Sequence, residues 1–271
     1  MKTRILVAAI GLPLLLVVVL VLPSVATAIL VAAMCILAAY ELMIGAGYVK
    51  HVRLFAYSSL MALLVCVWSW LEMPRAFGML GIMIYLCALF GEMLAAHTEL
   101  KLRTVCVAIF AGLIIPYMLS ALVRLRIFPN GKFYILTAFL LTMIPDTGAY
   151  FTGMFLGKRK LCPVISPNKT VEGAVGGVAA TMICMILYTL ILQVGFHFKV
   201  NYFYAILYGI LGAGGSILGD LTFSVIKRQA KIKDYGTLLP GHGGILDRFD
   251  STIVVAPLVE MLLLIIPFAV K

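Results

Sequence analysis

The sequence predicts an all-α integral membrane protein with about nine transmembrane helices and a cytoplasmic N-terminus. Of its 271 residues, 63% are hydrophobic and only 12% are charged. Apolar runs of about 20 residues, the length that crosses a bilayer, recur along the whole chain. Because a soluble domain carries about 25% charged residues, this chain has too few to cover a water-facing surface. The composition also excludes disordered, collagen-like and small disulfide-rich secreted proteins.

The apolar runs follow one another from the first residues to the last. They lie at about 5–22, 25–46, 55–71, 76–96, 104–123, 133–153, 173–195, 202–225 and 252–270. The first run has an alternative interpretation as a signal peptide, because Lys2 and Arg4 precede it and Ala26-Thr27-Ala28 resembles a cleavage site. Since the apolar sequence continues directly into the second run, we expect a crossing instead.

The distribution of positive charge predicts the orientation. With the N-terminus in the cytoplasm, most of the 21 Lys and Arg residues lie on cytoplasmic segments, which satisfies the positive-inside rule. The two longest polar connections, at about 154–172 and 226–251, are then cytoplasmic. We therefore expect one polytopic membrane domain over 1–271, with N-terminal helices in 1–130 and the chemistry in 131–271.

Every aspartate lies between positions 146 and 250. An ionisable side chain at membrane depth costs at least about 2.5–3.5 kcal/mol on insertion scales, so it marks a functional site by default. Asp146 and Asp220 are of this kind, and the alternative for each is a structural ion pair with a Lys or Arg. For three glutamates we expect only snorkelling or a local hydrogen bond. These are Glu41, Glu92 and Glu260.

Helical spacing groups several polar residues. Asp220, Ser224 and Lys227 share one face of the eighth predicted helix, at i, i+4 and i+7. Asp247 and Asp250, at i and i+3, project the same way from the start of the ninth. Carboxylates that converge repel one another, and a divalent cation such as Mg²⁺ or Mn²⁺ relieves that repulsion. In the metal-free alternative, the intervening Arg248 neutralises one of the two.

A glycine-rich turn, Gly241-His242-Gly243-Gly244, directly precedes this ninth helix. Backbone N–H groups at a helix N-terminus form an anion site that suits phosphate. Lys227, Arg228, Lys231 and Lys233 lie shortly before the turn, and such a run alone is typical of a lipid-headgroup contact. Acids and bases clustered together at a glycine-rich turn favour a metal-and-phosphate site.

The other cytoplasmic connection has a similar composition. Lys158-Arg159-Lys160 is followed by Ser166-Pro167-Asn168-Lys169-Thr170-Val171-Glu172-Gly173. These donors could bind phosphate or a nucleotide. They could equally form a helix N-cap with Glu172 in the first turn. The spacing leaves both interpretations open.

These segments resemble the signature of the phosphatidate cytidylyltransferases, which are also called CDP-diacylglycerol synthases. The resemblance extends upstream of the signature and covers about residues 140–255 by motif, and the whole chain by length and number of crossings. The signature residues are Ser224-Val225-Ile226-Lys227-Arg228, then Lys233-Asp234, then Leu239-Pro240-Gly241-His242-Gly243-Gly244-Ile245-Leu246-Asp247-Arg248-Phe249-Asp250. The upstream residues are Asp146-Thr147-Gly148-Ala149-Tyr150 and Ile165-Ser166-Pro167-Asn168-Lys169-Thr170-Val171-Glu172-Gly173.

The resemblance implies an enzyme that transfers CMP from CTP to phosphatidic acid, giving CDP-diacylglycerol and pyrophosphate. It implies Mg²⁺, with a second metal or a monovalent ion left open, and a homodimer. The compact size and the positive-inside bias suit the cell inner membrane, with the active site on the cytoplasmic side. Both substrates are polyanions, which fits the clustered Lys and Arg residues. No nucleic-acid partner is expected.

The resemblance also implies roles for individual residues. Asp220, Asp247 and Asp250 would hold the metal and, with Lys227 and Arg248, form the catalytic set. Lys227, Arg228 and Arg248 would bind phosphates, and His242, Gly243 and Gly244 would shape the triphosphate turn. Ser166, Lys169 and Thr170 would line the phosphate pocket of the nucleotide or of phosphatidate, supported by Asp146. Asp234 would orient a neighbouring basic side chain or the nucleotide. Ser224 would bind substrate beside Asp220.

Two other functions remain alternatives at this point, and a third is disfavoured by its aspartate spacing. A secondary transporter for an anionic solute would also use intramembrane aspartates and a glycine-broken helix. A lipid enzyme of the CDP-alcohol phosphotransferase type spaces its aspartates differently from this chain. A related cytidylyltransferase that acts on a non-diacyl lipid phosphate would have the same motif.

Overall fold

The computed structural model describes residues 9–271 except 12, 239, 240 and 242. Seven of the described helices are long and apolar enough to cross a membrane, so the predicted all-α membrane protein is confirmed. The count of about nine crossings and the cytoplasmic N-terminus stay predictions. The seven helices are α1 (Ser24–Gly45), α2 (Val52–Trp70), α3 (Arg75–Ala95), α4 (Leu102–Ile127), α5 (Gly131–Leu156), α6 (Val171–Phe196) and α7 (Tyr202–Gln229).

The first and last predicted crossings differ from these seven. The first begins in residues outside the described part of the chain, and a π-helical turn, Val17–Val21, forms its described end. The last is helix α8 (Leu246–Ile265), which begins before the predicted run at 252–270. Its first turn contains charged signature residues, so the apolar pattern alone placed its start too late.

Two short antiparallel strand pairs were not predicted, because strands this short carry no readable alternation. In the first, β1 (Lys160–Cys162) pairs with β2 (Ser166–Thr170) inside the predicted 154–172 connection. In the second, β3 (Lys199–Val200) pairs with β4 (Ala269–Val270). The first hairpin ends directly at the start of α6, so it fixes the residues that precede that helix.

The chain forms two compact units. The N-terminal unit contains Met1–Phe128 together with Gln229–Phe249, and the C-terminal unit contains Pro129–Arg228 and Asp250–Lys271. The glycine-rich turn therefore belongs with the N-terminal helices, although it follows α7 in sequence. Each unit has its own set of the predicted site residues.

Glycines allow the helices of the C-terminal unit to approach closely. A Cβ atom added at Gly177 of α6 would lie 2.7 Å from the carbonyl oxygen of Pro145 on α5, and one at Gly219 of α7 would lie 2.8 Å from the carbonyl oxygen of Asp250 on α8. Small residues at helix contacts are typical of packing in lipid. Gly214 of α7 is an exception, because its added Cβ would meet nothing within 4 Å.

Candidate active site

In the C-terminal unit, three aspartate carboxylates interact electrostatically with the ammonium of one lysine. Lys169, in β2, forms an ion pair with Asp220 on α7, and the side chains are 26% and 23% exposed. Asp146 and Asp250 also interact electrostatically with the Lys169 ammonium. These three carboxylates come from α5, α7 and α8; α7 approaches α8 at Gly219 and α5 at Gly212, where an added Cβ would lie 2.7 Å from Leu141 Cδ1. The structure thus brings together four residues that the sequence predicted as site residues.

The environment of Lys169 changes its acidity. Burial lowers the pKa of the Lys169 ammonium, and the nearby positive charge of Lys227 acts in the same direction. The negative charges of Asp146 and Asp250 oppose this change without cancelling it. The ammonium therefore loses its proton at a lower pH than an ordinary lysine.

This lysine lies in the wall of a cavity of about 470 Å³. Both charged and apolar side chains line the cavity, a mixture that suits the head of an amphiphile. Sequence reasoning missed Tyr150 and Asn168 as lining residues. Ser166 was predicted to line this pocket but is not among the lining residues; it lies in β2 opposite Cys162. The lining includes Asp146, Tyr150, Met154, Leu161, Asn168, Lys169, Thr170, Ile217 and Asp220.

The start of α6 shows that the helix-cap interpretation was correct. The Thr170 hydroxyl accepts a hydrogen bond from Gly173 N at 3.1 Å, as an N-cap does. The Glu172 carboxylate accepts hydrogen bonds from the backbone N–H groups of Lys158 and Arg159 at 3.0 and 3.1 Å. The cap and the carboxylate together anchor both ends of the hairpin that carries Lys169. The phosphate-binding interpretation of the segment stays a prediction.

Helix α7 presents the predicted polar face. The Ser224 hydroxyl donates to Asp220 Oδ1 at 3.3 Å, which confirms the i, i+4 spacing. Arg228 Nε donates to the carbonyl oxygen of Ile165 at 3.3 Å. The Arg228 guanidinium therefore contacts the hairpin through its Nε. The phosphate-binding role of Arg228 stays a prediction.

In the N-terminal unit, Asp247 organises the glycine-rich turn. Its side chain is buried, and Oδ2 accepts hydrogen bonds from Tyr235 N at 2.8 Å and Gly244 N at 3.0 Å. Gly243 has a φ of +84°, and a Cβ added there would lie 2.8 Å from Asp247 Oδ2. Glycine is needed at this position for its backbone conformation and for the space.

Glu41 was expected to snorkel or to bond locally, and this prediction is wrong. The side chain is only 4% exposed. Its Oε1 accepts a hydrogen bond from Ile245 N and its Oε2 accepts one from Leu246 N, both at 2.8 Å, from residues more than 200 positions away. Polar groups that are buried need such partners, and the first N–H groups of a helix have none within it.

Backbone N–H groups at the end of the turn and the start of α8 already have carboxylate acceptors. The N–H groups of Gly244, Ile245 and Leu246 donate to Asp247 and Glu41. In this structure the Gly244 N–H donates to the Asp247 carboxylate, and the phosphate-binding role of the turn with Gly243 and Gly244 stays a prediction. His242 lies outside the described residues.

Side chains around the turn line a second cavity, of about 1060 Å³. Lys233 and Arg248 bring positive charge to its wall, and Asp234 brings a carboxylate. All three were singled out from the sequence. The other walls come from the end of α1 and from the turn itself, and include Leu37, Tyr40, Glu41, Gly45, Tyr235, Gly236, Thr237, Leu238, Gly241 and Gly243.

Among the described residues, no group of three or more His, Cys, Asp or Glu side chains forms a cluster that could hold a metal ion. Asp220 and Asp250 lie in the C-terminal unit, and Asp247 lies in the N-terminal unit with one oxygen engaged by the turn. The metal role of these three aspartates stays a prediction.

Comparison with known proteins identifies the family. The sequence profile of the Cytidylyltransferase family matches residues 2–266. This chain belongs to that family. The phosphatidate cytidylyltransferase of Staphylococcus saprophyticus is 47% identical over 135 residues, and that of Staphylococcus aureus (strain COL) is 49% identical over 138 residues. Each match covers 50% of this chain and 50% of the relative, so the chain spans about half the length of the curated relatives it matches. Family membership favours nucleotide transfer over the transporter and the CDP-alcohol phosphotransferase.

Proposed function

We propose that this protein transfers CMP from CTP to phosphatidic acid, giving CDP-diacylglycerol and pyrophosphate, on the cytoplasmic side of the cell inner membrane. The observation that carries the proposal is the partly buried Lys169 ammonium near Asp146, Asp220 and Asp250, in a cavity lined by both polar and apolar residues. Family membership and the names of the relatives support it.

The C-terminal cavity suits the lipid substrate. Its Lys169, Asn168 and Thr170 side chains offer a cation and hydrogen-bond donors to a phosphate, while Met154 and Leu161 offer apolar contact to the glycerol and acyl portion. The Lys169 ammonium would pair with the phosphate monoester and hold one of its oxygens ready for attack. The three carboxylates keep the ammonium in place when substrate is absent.

The N-terminal cavity suits the nucleotide. Lys233 and Arg248 in its wall would pair with the triphosphate. Asp234 would contact the cytosine or orient a neighbouring basic side chain. In the reaction, a lipid phosphate oxygen forms a bond to the α-phosphorus of CTP. The bond from that phosphorus to the β-phosphate oxygen breaks, and pyrophosphate leaves with the electron pair.

The donor set suits Mg²⁺, since carboxylate oxygens are the hard ligands that this ion prefers. Asp220 and Asp250 of the C-terminal unit would hold it, and Asp247 is the third predicted ligand. A bound Mg²⁺ neutralises charge on the phosphates and on the departing pyrophosphate. We propose that the enzyme works as a homodimer, as the family resemblance implies.

The test uses purified protein in detergent with phosphatidic acid, Mg²⁺ and CTP that is radiolabelled in the cytosine ring. We expect label in the lipid phase, pyrophosphate in equal amount, and loss of both with EDTA. In a parallel assay, an isoprenoid phosphate replaces phosphatidic acid. Incorporation only into the isoprenoid lipid would overturn the lipid assignment, and no incorporation into either would overturn the proposed function.

A further inference from the structure

Glu41 lies in the N-terminal unit at the point where helix α1 changes its hydrogen-bonding pattern. Helix α1 is α-helical over Ser24–Tyr40 and widens into a π-helical segment, Glu41–Gly45. Single π-helical turns inside α-helices occur frequently at functional sites. Glu41 is the first residue of this segment and lines the 1060 Å³ cavity. The signature residues alone give no reason for a buried acid in α1.

The Glu41 carboxylate caps a helix that is distant in sequence. Its two oxygens each accept one backbone N–H, from Ile245 and from Leu246, at the start of α8. Helix N-terminal N–H groups lack partners inside the helix and carry partial positive charge, so a carboxylate there is favourable. Capping side chains normally belong to the same turn as the helix they cap. Here the nearby Asp247 is already bonded to Tyr235 N and Gly244 N.

The turn is built closely around this carboxylate. A Cβ added at Gly236 would lie 2.7 Å from Glu41 Oε1, and one added at Gly244 would also collide with the carboxylate. A Cβ at Gly45 would lie 2.9 Å from the carbonyl oxygen of Tyr235. The glycines on both sides thus permit a contact between the end of α1 and the segment 235–246 that no larger residue would allow.

We propose that Glu41 is a positioning residue for nucleotide binding. It acts through the N–H groups of Ile245 and Leu246, which fix the turn and so set the positions of Lys233, Asp234 and Arg248 in the cavity wall. The inference rests on the proposed function, because it assigns the nucleotide to this cavity. Glu41 itself touches the turn backbone, and its effect on CTP is indirect.

Glu41→Gln is the informative variant. It keeps the size of the side chain but places an amide NH₂ opposite one of the two N–H donors, so at least one hydrogen bond is lost. The matched control is Glu92→Gln in the same unit, whose carboxylate accepts a hydrogen bond from Tyr57 and pairs with Arg53, away from the turn. Kinetics are measured with the full chain in detergent, varying CTP and phosphatidic acid separately.

We expect Glu41→Gln to raise KM for CTP by about tenfold, the equivalent of one charge-assisted hydrogen bond, with KM for phosphatidic acid nearly unchanged. Glu92→Gln leaves both constants near those of the wild type. Equal increases in both KM values, or an unchanged KM for CTP, would overturn the positioning role.

Amide hydrogen exchange provides a readout that does not depend on activity. In Glu41→Gln, we expect faster exchange in 234–248 and unchanged exchange in α2 and α3. Unchanged exchange in 234–248 would overturn the proposal, and so would faster exchange spread over all the N-terminal helices. If the wild type fails to turn over CTP, the proposed function fails, while the exchange experiment still reports whether Glu41 holds the turn.

Discussion

The site carboxylates of the two units have different main partners. In the N-terminal unit, Glu41 and Asp247 accept hydrogen bonds from four backbone N–H groups and hold a turn in shape. In the C-terminal unit, Asp220, Asp146 and Asp250 act on a side-chain cation, Lys169. Acidic side chains therefore hold a backbone in place in one region and balance the positive charge of a side chain in the other.

This difference indicates where chemistry is possible. A carboxylate that accepts hydrogen bonds from backbone N–H groups stabilises the fold, because removal of the carboxylate leaves those buried donors without acceptors. A carboxylate that faces an ammonium can exchange that partner for a ligand of similar charge without unfolding the chain. Asp220, which forms the ion pair with Lys169, is thus the aspartate whose substitution should remove activity and spare the fold, whereas Asp250 Oδ1 also accepts a hydrogen bond from the Ser251 N–H at 2.7 Å.

The largest effect is expected at Asp220, which forms the ion pair with Lys169. Asp220→Asn removes the negative charge but keeps the shape, so we expect activity to fall by about 10²–10³-fold, the range seen when one electrostatic group is removed from an active site. The yield of folded protein in detergent and its thermal unfolding should stay close to wild type. Activity within tenfold of the wild type at saturating Mg²⁺ would show that the Asp220 carboxylate is not needed for catalysis.

The next effect concerns the close contact of α7 with α8 in the C-terminal unit. A Cβ at Gly219 would lie 2.8 Å from the carbonyl oxygen of Asp250, a backbone atom that cannot swing away. We expect Gly219→Ala to destabilise the protein by about 1–3 kcal/mol, as overpacking does. Gly214→Ala on the same helix is the matched control, because nothing lies within 4 Å of its added Cβ. Thermal unfolding should separate the two variants, and equal midpoints would contradict the described packing.

A smaller effect is expected at the turn of the N-terminal unit. Gly243→Ala forces a non-glycine residue to a φ of +84° and brings its Cβ toward Asp247 Oδ2. The cost is about 1–2 kcal/mol for the left-handed conformation alone. We expect it to appear as a higher KM for CTP, measured at saturating phosphatidic acid. A change confined to the KM for phosphatidic acid would show that the turn serves the other substrate.

The smallest effect is a shift in pH dependence. Since burial lowers the pKa of Lys169, activity that needs its ammonium is full below that lowered pKa and falls as the pH rises through it. Arginine stays protonated at every accessible pH, its pKa being above about 12. Lys169→Arg should therefore move the alkaline limb of kcat/KM to higher pH, even if its maximum is lower. An alkaline limb at the wild-type position would assign that limb to another group.

Local patterns in the sequence predicted much of this structure. Seven of the predicted crossings appear as long apolar helices, and the spacing of Asp220 and Ser224 placed both on one face of α7. These predictions succeed because hydropathy and helical periodicity are local properties. The hairpin of β1 with β2 has no such pattern, since its strands contain only three and five residues.

The role of Glu41 was beyond sequence reasoning for a different reason. Its partners, Ile245 and Leu246, are more than 200 positions away, and a buried glutamate near a helix end resembles one that snorkels to the headgroups. The bond from the Gly244 N–H to Asp247 was equally hidden, because it depends on where the Asp247 side chain points. Long-range polar contacts of this kind become visible only once the chain is folded.

The central claim is that CTP is cleaved between its α- and β-phosphates and that CMP passes to a lipid phosphate. The most direct measurement compares CTP labelled with ³²P at the α-position with CTP labelled at the γ-position, each incubated with wild-type protein, phosphatidic acid and Mg²⁺. The account predicts that α-label enters the lipid phase while γ-label leaves as pyrophosphate. The appearance of γ-label in the lipid, or of neither label, would contradict it.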